Sequence, residues 1–88
     1  MAVYSVEISE KAFRELAALP VKTRERIGVA ISALAVNPRP VGVTAIKGQV
    51  AHFRVRVGDY RVIYSVVDAV LRVIVVRVGH RREVYRGM

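Results

Sequence analysis

The chain has 88 residues, 53% of them hydrophobic, and this composition favours one small folded domain over residues 1–88 rather than a disordered chain. It contains no cysteine, so disulfide bonds and thiolate metal sites are excluded, and we expect no metal and no other cofactor. The sequence shows neither a secretory signal pattern nor an apolar run of roughly 20 residues that would span a membrane. We therefore expect a cytoplasmic protein.

The charge is strongly positive and unevenly distributed. Fifteen Lys and Arg residues oppose seven Asp and Glu residues, for a net charge of +8. Residues 46–88 hold nine of these cations and three of the acidic residues, and therefore carry +6 of the net charge. Eight of the nine are arginines, whose guanidinium fork matches phosphate oxygens. This composition favours a polyanionic partner, most often nucleic acid, over an acidic protein partner or a purely solubilising role.

The first half of the chain predicts one strand and two helices. Residues 3–8 alternate between apolar and polar side chains, as in a half-buried strand. Ser9 is a suitable N-cap for a helix over residues 10–19, and a second helical pattern covers residues 21–36. The two prolines within residues 37–42 favour a loop there.

The second half predicts strands separated by short turns, at Gly58-Asp59 and Asp68-Ala69. The strands are expected over residues 43–48, 51–57, 60–67 and 70–78. The element order is β-α-α-β-β-β(-β). The predicted fold class is α+β, an antiparallel sheet with an N-terminal strand and a two-helix hairpin packed on one face.

The hairpin over residues 51–67 concentrates positive charge on one side of the predicted sheet. His52, Arg54 and Arg56 alternate with apolar residues, and Arg61 follows the turn. Like charges placed side by side repel each other, so this arrangement favours an anionic ligand that relieves the repulsion. Tyr60 and Tyr64, on the second strand of the hairpin, are expected to face the core.

Three segments, in this order and behind a strand and two helices, resemble the RelE/ParE superfamily of bacterial toxins. They are "IKG" (46–48), "FRVRVGDYRVIY" (53–64) and "VVRVGHRREVY" (75–85). The resemblance covers almost the whole chain and points to the RelE-like branch. It implies a toxin of a type II toxin–antitoxin pair that enters the ribosomal A site and cleaves mRNA by attack of a 2′-hydroxyl on the neighbouring phosphate. It also implies a RelB-like antitoxin as partner in a hetero-oligomer.

The site residues of the family fall on particular positions of this sequence. By resemblance, Arg54 and Arg56 clamp the phosphate, and Arg61 stabilises the transition state. Arg81 acts as a general acid or a charge clamp, and Tyr85 stacks on a nucleotide or orients it. The spacing between Arg81 and Tyr85 is shorter here than in some RelE members.

The sequence departs from RelE enzymes at positions 54 and 56, where they usually carry lysines, one of them the general base. Arginine has a pKa above about 12 and is a poor base near neutral pH. His80, held neutral by the arginines that follow it, is the first candidate for the base, and His52 is the second. The predicted catalytic residues are therefore Arg56, Arg61, His80, Arg81 and Tyr85, and the predicted RNA-binding residues are Lys47, His52, Arg54 and Arg82.

Two other functions remain open. A ParE-like toxin would poison DNA gyrase without nuclease activity, and a degenerate toxin would act only as a repressor subunit with its antitoxin. The cluster of cations, histidine and tyrosine at the end of the last strand favours the nuclease over the gyrase poison. The arginines at positions 54 and 56 keep the degenerate toxin open.

Overall fold

The computed structural model describes residues 3–40, 43–45 and 52–80, which form two α-helices and one five-stranded sheet. The elements are β1 (Ser5–Ile8), α1 (Glu10–Ala17), α2 (Val21–Val36), β2 (Thr44–Ala45), β3 (His52–Val57), β4 (Tyr60–Val67), a 3-10 turn (Asp68–Val70) and β5 (Arg72–His80). The strand order in the sheet is β1-β5-β4-β3-β2. The predicted α+β fold class is confirmed.

The sheet is mixed, whereas the sequence predicted an antiparallel one. The pairs β2–β3, β3–β4 and β4–β5 are antiparallel, but β1 runs parallel to β5, with Ser5 opposite Arg72 and Ile8 opposite Val75. A hairpin turn makes the two strands that it joins antiparallel. Because β1 is followed by helices, no turn fixes its direction.

Local sequence signals explain most element boundaries. The side chain of Ser9 caps α1 by accepting a hydrogen bond from the backbone N–H of Ala12 at 3.1 Å, as predicted. Gly58 has a φ of +60° in the β3–β4 turn, a conformation that glycine adopts without strain. The last strand begins two residues later than predicted, because Asp68–Val70 forms a 3-10 turn and Leu71 is left-handed at φ 50°.

The core lies between one face of the sheet and the helices. Tyr64 is fully buried, and its hydroxyl donates a hydrogen bond to the carbonyl of Pro38 at 2.6 Å. Burial raises the pKa of Tyr64 to about 12. Tyr60 is half-buried against the same core, so the prediction that both tyrosines face inward is confirmed. The buried residues of the core are Ala12, Ile27, Ile31, Leu34, Val62, Tyr64, Val66, Val73, Val75 and Val78.

A polar cluster joins three segments at one end of the sheet. Asp68 accepts two hydrogen bonds from the guanidinium of Arg39, at 2.8 and 3.2 Å, and one from the hydroxyl of Tyr4 at 2.7 Å. The guanidinium carbon of Arg39 also lies 5.3 Å from the ring centroid of Phe53. The hydrogen bonds from Arg39 and then Tyr4 lower the pKa of Asp68 to about 2.

A β-bulge interrupts the pairing of β4 with β5. Tyr64 lies opposite Val75, but the preceding residue, Ile63, lies opposite Arg77. Val76 is therefore the extra residue of the bulge. The bulge reverses the alternation of side chains along the last part of β5.

Helix α1 covers the edge of β5 at this bulge, beyond the end of β1. The hydroxyl of Ser9 donates to the carbonyl of Val76 at 3.2 Å, and the carboxylate of Glu15 accepts from the backbone N–H of Val78 at 3.0 Å. Glu15 also pairs with the guanidinium of Arg77 at 3.1 Å. The helix thus satisfies backbone groups that a neighbouring strand would otherwise pair.

Candidate functional site

The strand register brings three of the predicted site residues together. Arg56 on β3 lies directly opposite Arg61 on β4. Arg54, two residues before Arg56 on β3, lies opposite Ile63. Residues directly opposite each other in an antiparallel pair share a face of the sheet. The residues that alternate with these arginines along the strands pack against the core. The arginines therefore lie on the face of the sheet opposite the helices. We call Arg54, Arg56 and Arg61 the basic face.

Two arginines of the basic face have backbone partners and no carboxylate partner within the described residues. Nε of Arg56 donates to the carbonyl of Gly58 at 3.2 Å, and Nη1 of Arg61 donates to the carbonyl of Tyr60 at 3.2 Å. The ion pairs of the described residues are Arg14–Glu10, Arg39–Asp68, Arg72–Glu7 and Arg77–Glu15. Within that part of the chain, the charges of Arg56 and Arg61 are therefore not neutralised, which suits them to bind an anion.

The surface around these arginines is shaped by two small or apolar neighbours. Ile63 lies between Arg54 and Arg77 on the same face and is fully buried. Gly79 lies opposite Arg61 and contributes no side chain.

Arg77 has a defined position that sequence reasoning missed. It lies next to the basic face, but its side chain is only 13% exposed and is held by the carboxylate of Glu15. Glu15 and Arg77 are 62 residues apart in the sequence, and no local pattern links them. The structure identifies Arg77 as a structural cation that anchors β5 to α1.

The two candidate bases lie on opposite faces of the sheet. His80 is directly opposite Tyr60, and the two rings meet edge to face with centroids 5.8 Å apart, on the side of the core. His52 is opposite Ser65 and shares the outer face with Arg54. Had the glycine before His80 turned the chain back over the sheet, the imidazole would lie over the arginines. Instead β5 continues through His80, so the structure does not bring this side chain together with the basic face.

The remaining predicted site residues lie outside the described residues. They are Lys47, Arg81, Arg82 and Tyr85. Their roles stay predictions.

A second surface feature is an apolar groove of about 500 Å³ between β1 and the two helices. Tyr4, Val6 and Ile8 form one wall, and Leu16 and Ile31 contribute to the helical side. Ile8 is an apolar residue of β1, yet 38% of its surface is exposed. The groove is therefore an accessible apolar surface on the side of the molecule away from the basic face.

None of the helices in the described part of the chain is both long enough and apolar enough to cross a membrane.

The sequence matches proteins of known family over nearly its whole length. The family described as ParE toxin of type II toxin-antitoxin system, parDE, matches residues 6–85. Toxin RelG of Mycobacterium tuberculosis is 31% identical over 84 residues, which cover 94% of this chain and 97% of RelG. Putative toxin RelE1 of Methanocaldococcus jannaschii is 33% identical over 84 residues, which cover 91% of each protein.

Solved structures show the same fold. A chain of the RelBE2 toxin–antitoxin complex from Mycobacterium tuberculosis superposes with a TM-score of 0.81 at 29% identity, covering 92% of this chain and 94% of that one. A chain of the archaeal RelE–RelB complex from Pyrococcus horikoshii gives a TM-score of 0.81 at 28% identity, covering 94% and 99%. The chain therefore belongs to the RelE/ParE family and is the toxin component of a type II toxin–antitoxin system.

Proposed function

We propose that this toxin acts in the cytoplasm as a ribosome-dependent mRNA endoribonuclease and that its basic face binds the phosphate that is cleaved. The observation that carries the proposal is the pairing of Arg56 with Arg61 across β3 and β4, without a carboxylate partner in the described residues. Each guanidinium has five N–H donors, of which the described part of the chain uses one, through a backbone carbonyl. The other donors suit phosphate oxygens.

The reaction proposed is attack of the 2′-oxygen of a nucleotide on its own 3′-phosphate. The bond from phosphorus to the 5′-oxygen of the next nucleotide breaks, which leaves a 2′,3′-cyclic phosphate and a 5′-hydroxyl. The phosphorane between these states carries more negative charge than the substrate. Fixed cations aimed at that charge lower the barrier because they need no reorganisation as it develops. Arg61 is assigned to the transition state, and Arg54 and Arg56 to clamping the phosphate.

Two other roles follow from the resemblance to the family. Arg81 would protonate the 5′-oxygen or neutralise charge on it, and Tyr85 would stack on a base. Stacking of a base on an aromatic ring contributes about 1–3 kcal/mol.

The test of this proposal is cleavage of mRNA on programmed ribosomes under single-turnover conditions. Arg61→Ala should slow the chemical step by about 10²–10³, as the loss of one donor to a transition-state anion does. Arg24→Ala is the matched control, because it removes one cation from α2 without touching the basic face. Equal rates for Arg61→Ala and the wild type would contradict the assignment.

The proton acceptor is proposed to be a histidine, since arginine retains its proton near neutral pH. His80 stays the first candidate from the sequence, and the structure adds weight to His52 because it shares the outer face with Arg54. Alanine substitutions of the two histidines, measured in the same assay, distinguish them. The base should be the residue whose loss costs about 10²–10⁴ in rate.

A RelB-like antitoxin is the proposed protein partner. The structures similar to this chain from Mycobacterium tuberculosis and Pyrococcus horikoshii are toxin–antitoxin complexes. In this chain the net charge of +8 and the apolar groove would suit an amphipathic helix with acidic residues. The partner should be encoded next to the toxin gene.

Co-expression tests this partner and the use of the groove. The toxin and the product of the neighbouring gene should elute together at low salt. Ile8→Glu, at the groove, should weaken the complex much more than Val29→Glu, which adds the same charge at an exposed position on α2 that does not line the groove. Elution of the toxin alone would contradict the partner, whereas equal effects of the two variants would contradict the groove.

A second candidate function is supported by the family that matches residues 6–85, which is named for ParE. A ParE-like toxin would act on DNA gyrase rather than on mRNA. Supercoiling by purified gyrase and translation of a reporter message, each with added toxin, separate the two candidates. Inhibition of translation with unchanged supercoiling supports the nuclease, and the reverse supports the gyrase poison.

A further inference from the structure

An open pocket of about 400 Å³ lies at the tip of the β3–β4 hairpin, where the start of α2 approaches the turn. It belongs neither to the core nor to the apolar groove. Its lining residues are Thr23, Arg26, Arg56, Val57, Gly58, Asp59 and Tyr60. The pocket thus combines two guanidinium groups with the hydroxyl-bearing side chains of Thr23 and Tyr60.

Both guanidinium groups converge on one residue of the turn. Nε of Arg56 donates to the carbonyl of Gly58 at 3.2 Å. Both terminal nitrogens of Arg26 lie 3.6 Å from the position that a Cβ would take on Gly58. Arg26 comes from α2 and Arg56 from β3, so the fold brings together two cations that are 30 residues apart in the sequence. The guanidinium of Arg26 therefore lies in van der Waals range of the turn at Gly58.

The two cations lack an internal counter-charge in the described residues. Neither Arg26 nor Arg56 is within 4.0 Å of a carboxylate there, although Asp59 also lines the pocket. Two guanidiniums directed into one open pocket repel each other until an anion enters. Phosphate is the anion that fits best, because its oxygens accept the paired N–H groups of arginine.

We propose that this pocket is a second phosphate subsite, which binds a phosphodiester of RNA next to the one on the basic face. This inference rests on the proposed nuclease function. Arg56 belongs to both sites, so the pocket continues the basic face around the hairpin tip to α2. An RNA strand crossing the basic face would place a neighbouring phosphate between Arg26 and Arg56. Arg26 thereby becomes a binding residue for the substrate, remote from the bond that is cleaved.

The first experiment tests the chemistry of the pocket alone. Inorganic phosphate is titrated into the protein while the side-chain Nε–Hε signals of arginine are followed by NMR. The signals of Arg26 and Arg56 should shift together and saturate, and Asp59→Asn should tighten the binding because it removes the one negative charge of the lining. Arg26→Ala should weaken the phosphate affinity that the Arg56 signal reports, leaving the binding due to the basic face, and Arg24→Ala should not change it. Unchanged Arg26 and Arg56 signals would overturn the subsite.

The second experiment tests the pocket in the reaction. On programmed ribosomes, Arg26→Ala should raise KM roughly tenfold and leave kcat unchanged, because a remote contact stabilises ground and transition states equally. Arg26→Lys should recover part of the loss, since it keeps the charge without the fork. Arg24→Ala should match the wild type. If Arg24→Ala and Arg26→Ala have the same KM, the second phosphate subsite is wrong, whereas the proposed nuclease function is not affected.

Truncated messages identify the source of the phosphate. If it belongs to the message, the effect of Arg26→Ala on KM should vanish when the message ends before the nucleotide that reaches the pocket. An effect that persists with every truncation assigns the phosphate to ribosomal RNA. If the wild-type protein cleaves no message, the proposed nuclease function is wrong. The phosphate titration then decides by itself whether the pocket binds anions.

Discussion

Replacing Glu15 by alanine should be the most damaging single change of a charged residue in the described part of the chain. Its carboxylate accepts the backbone N–H of Val78 at 3.0 Å and pairs with Arg77. An unsatisfied, partly buried N–H costs about 1–3 kcal/mol, and an ion pair broken in the interior costs about 3–5 kcal/mol. Because Arg77 and Glu15 are 13% and 24% exposed, water compensates part of both losses. We expect the free energy of unfolding to fall by about 3 kcal/mol.

Urea unfolding measures this change if the slope m stays constant. Glu15→Gln should cost about half as much, since its amide oxygen still accepts the N–H of Val78. Glu10→Ala is the control, because the pair that Glu10 makes with Arg14 on α1 is exposed and such pairs contribute about 0.3–0.5 kcal/mol. A loss for Glu15→Ala no larger than that for Glu10→Ala would refute the view that Glu15 holds the bulge of β5.

Three further predictions concern Tyr64 and Asp68. Tyr64→Phe should cost about 1 kcal/mol at neutral pH in urea unfolding, because it removes the buried hydrogen bond to Pro38, and full stability in this variant would contradict that role. Burial raises the pKa of Tyr64 to about 12, so the protonated hydroxyl contributes its full stability below pH 10, and this contribution is lost between pH 10 and 12. Thermal melts should show this loss of stability at alkaline pH in the wild type and less of it in Tyr64→Phe. Arg39 and Tyr4 lower the pKa of Asp68 to about 2, so the stability that the Asp68 carboxylate contributes is present above pH 3.8 and lost as the pH falls to about 2. If the melting temperature of Asp68→Asn falls with pH as steeply as that of the wild type, this reasoning is contradicted.

Local patterns were sufficient to predict the helices and the central strand. Val21–Val36 and Tyr60–Val67 coincide with their predicted ranges, and Ser9 caps α1 as expected. The first helix ends at Ala17, two residues before its predicted end. These features depend on contacts between residues that are close in the sequence. The periodicity of apolar residues and the capping residue are therefore enough to predict them.

The features that the sequence did not predict depend on contacts between distant residues. The parallel pairing of β1 places Ser5 opposite Arg72. The bulge at Val76 is stabilised by the hydroxyl of Ser9, the N-cap of α1, which donates to Val76, and by the carboxylate of Glu15 on α1, which accepts from Val78. A bulge has no necessary sequence signature, because any residue can be the extra one when a neighbouring element satisfies its backbone groups. The pocket at the hairpin tip likewise requires the packing of α2 against the turn.

The same distinction applies to the candidate site. Alternation within β3 was enough to place Arg54 and Arg56 on one face, and the length of the turn was enough to add Arg61. The position of His80 depends instead on where β5 ends. Because the strand continues through His80, its ring packs against Tyr60 rather than over the arginines.

This geometry separates two tasks that a lysine would combine. A lysine on the sheet could stabilise charge and accept a proton, whereas Arg56 and Arg61 can only stabilise charge. Removing Arg61 should therefore lower the cleavage rate by the same factor at every pH, since no titration of this residue is lost. Removing the base should instead eliminate the fall in rate at low pH, because that limb reports its protonation. A single-turnover rate measured across pH 5 to 8 for Arg61→Ala, His52→Ala and His80→Ala distinguishes the roles. If the acid limb survives in both histidine variants, proton removal belongs to neither residue, and the contribution of the sheet is electrostatic alone.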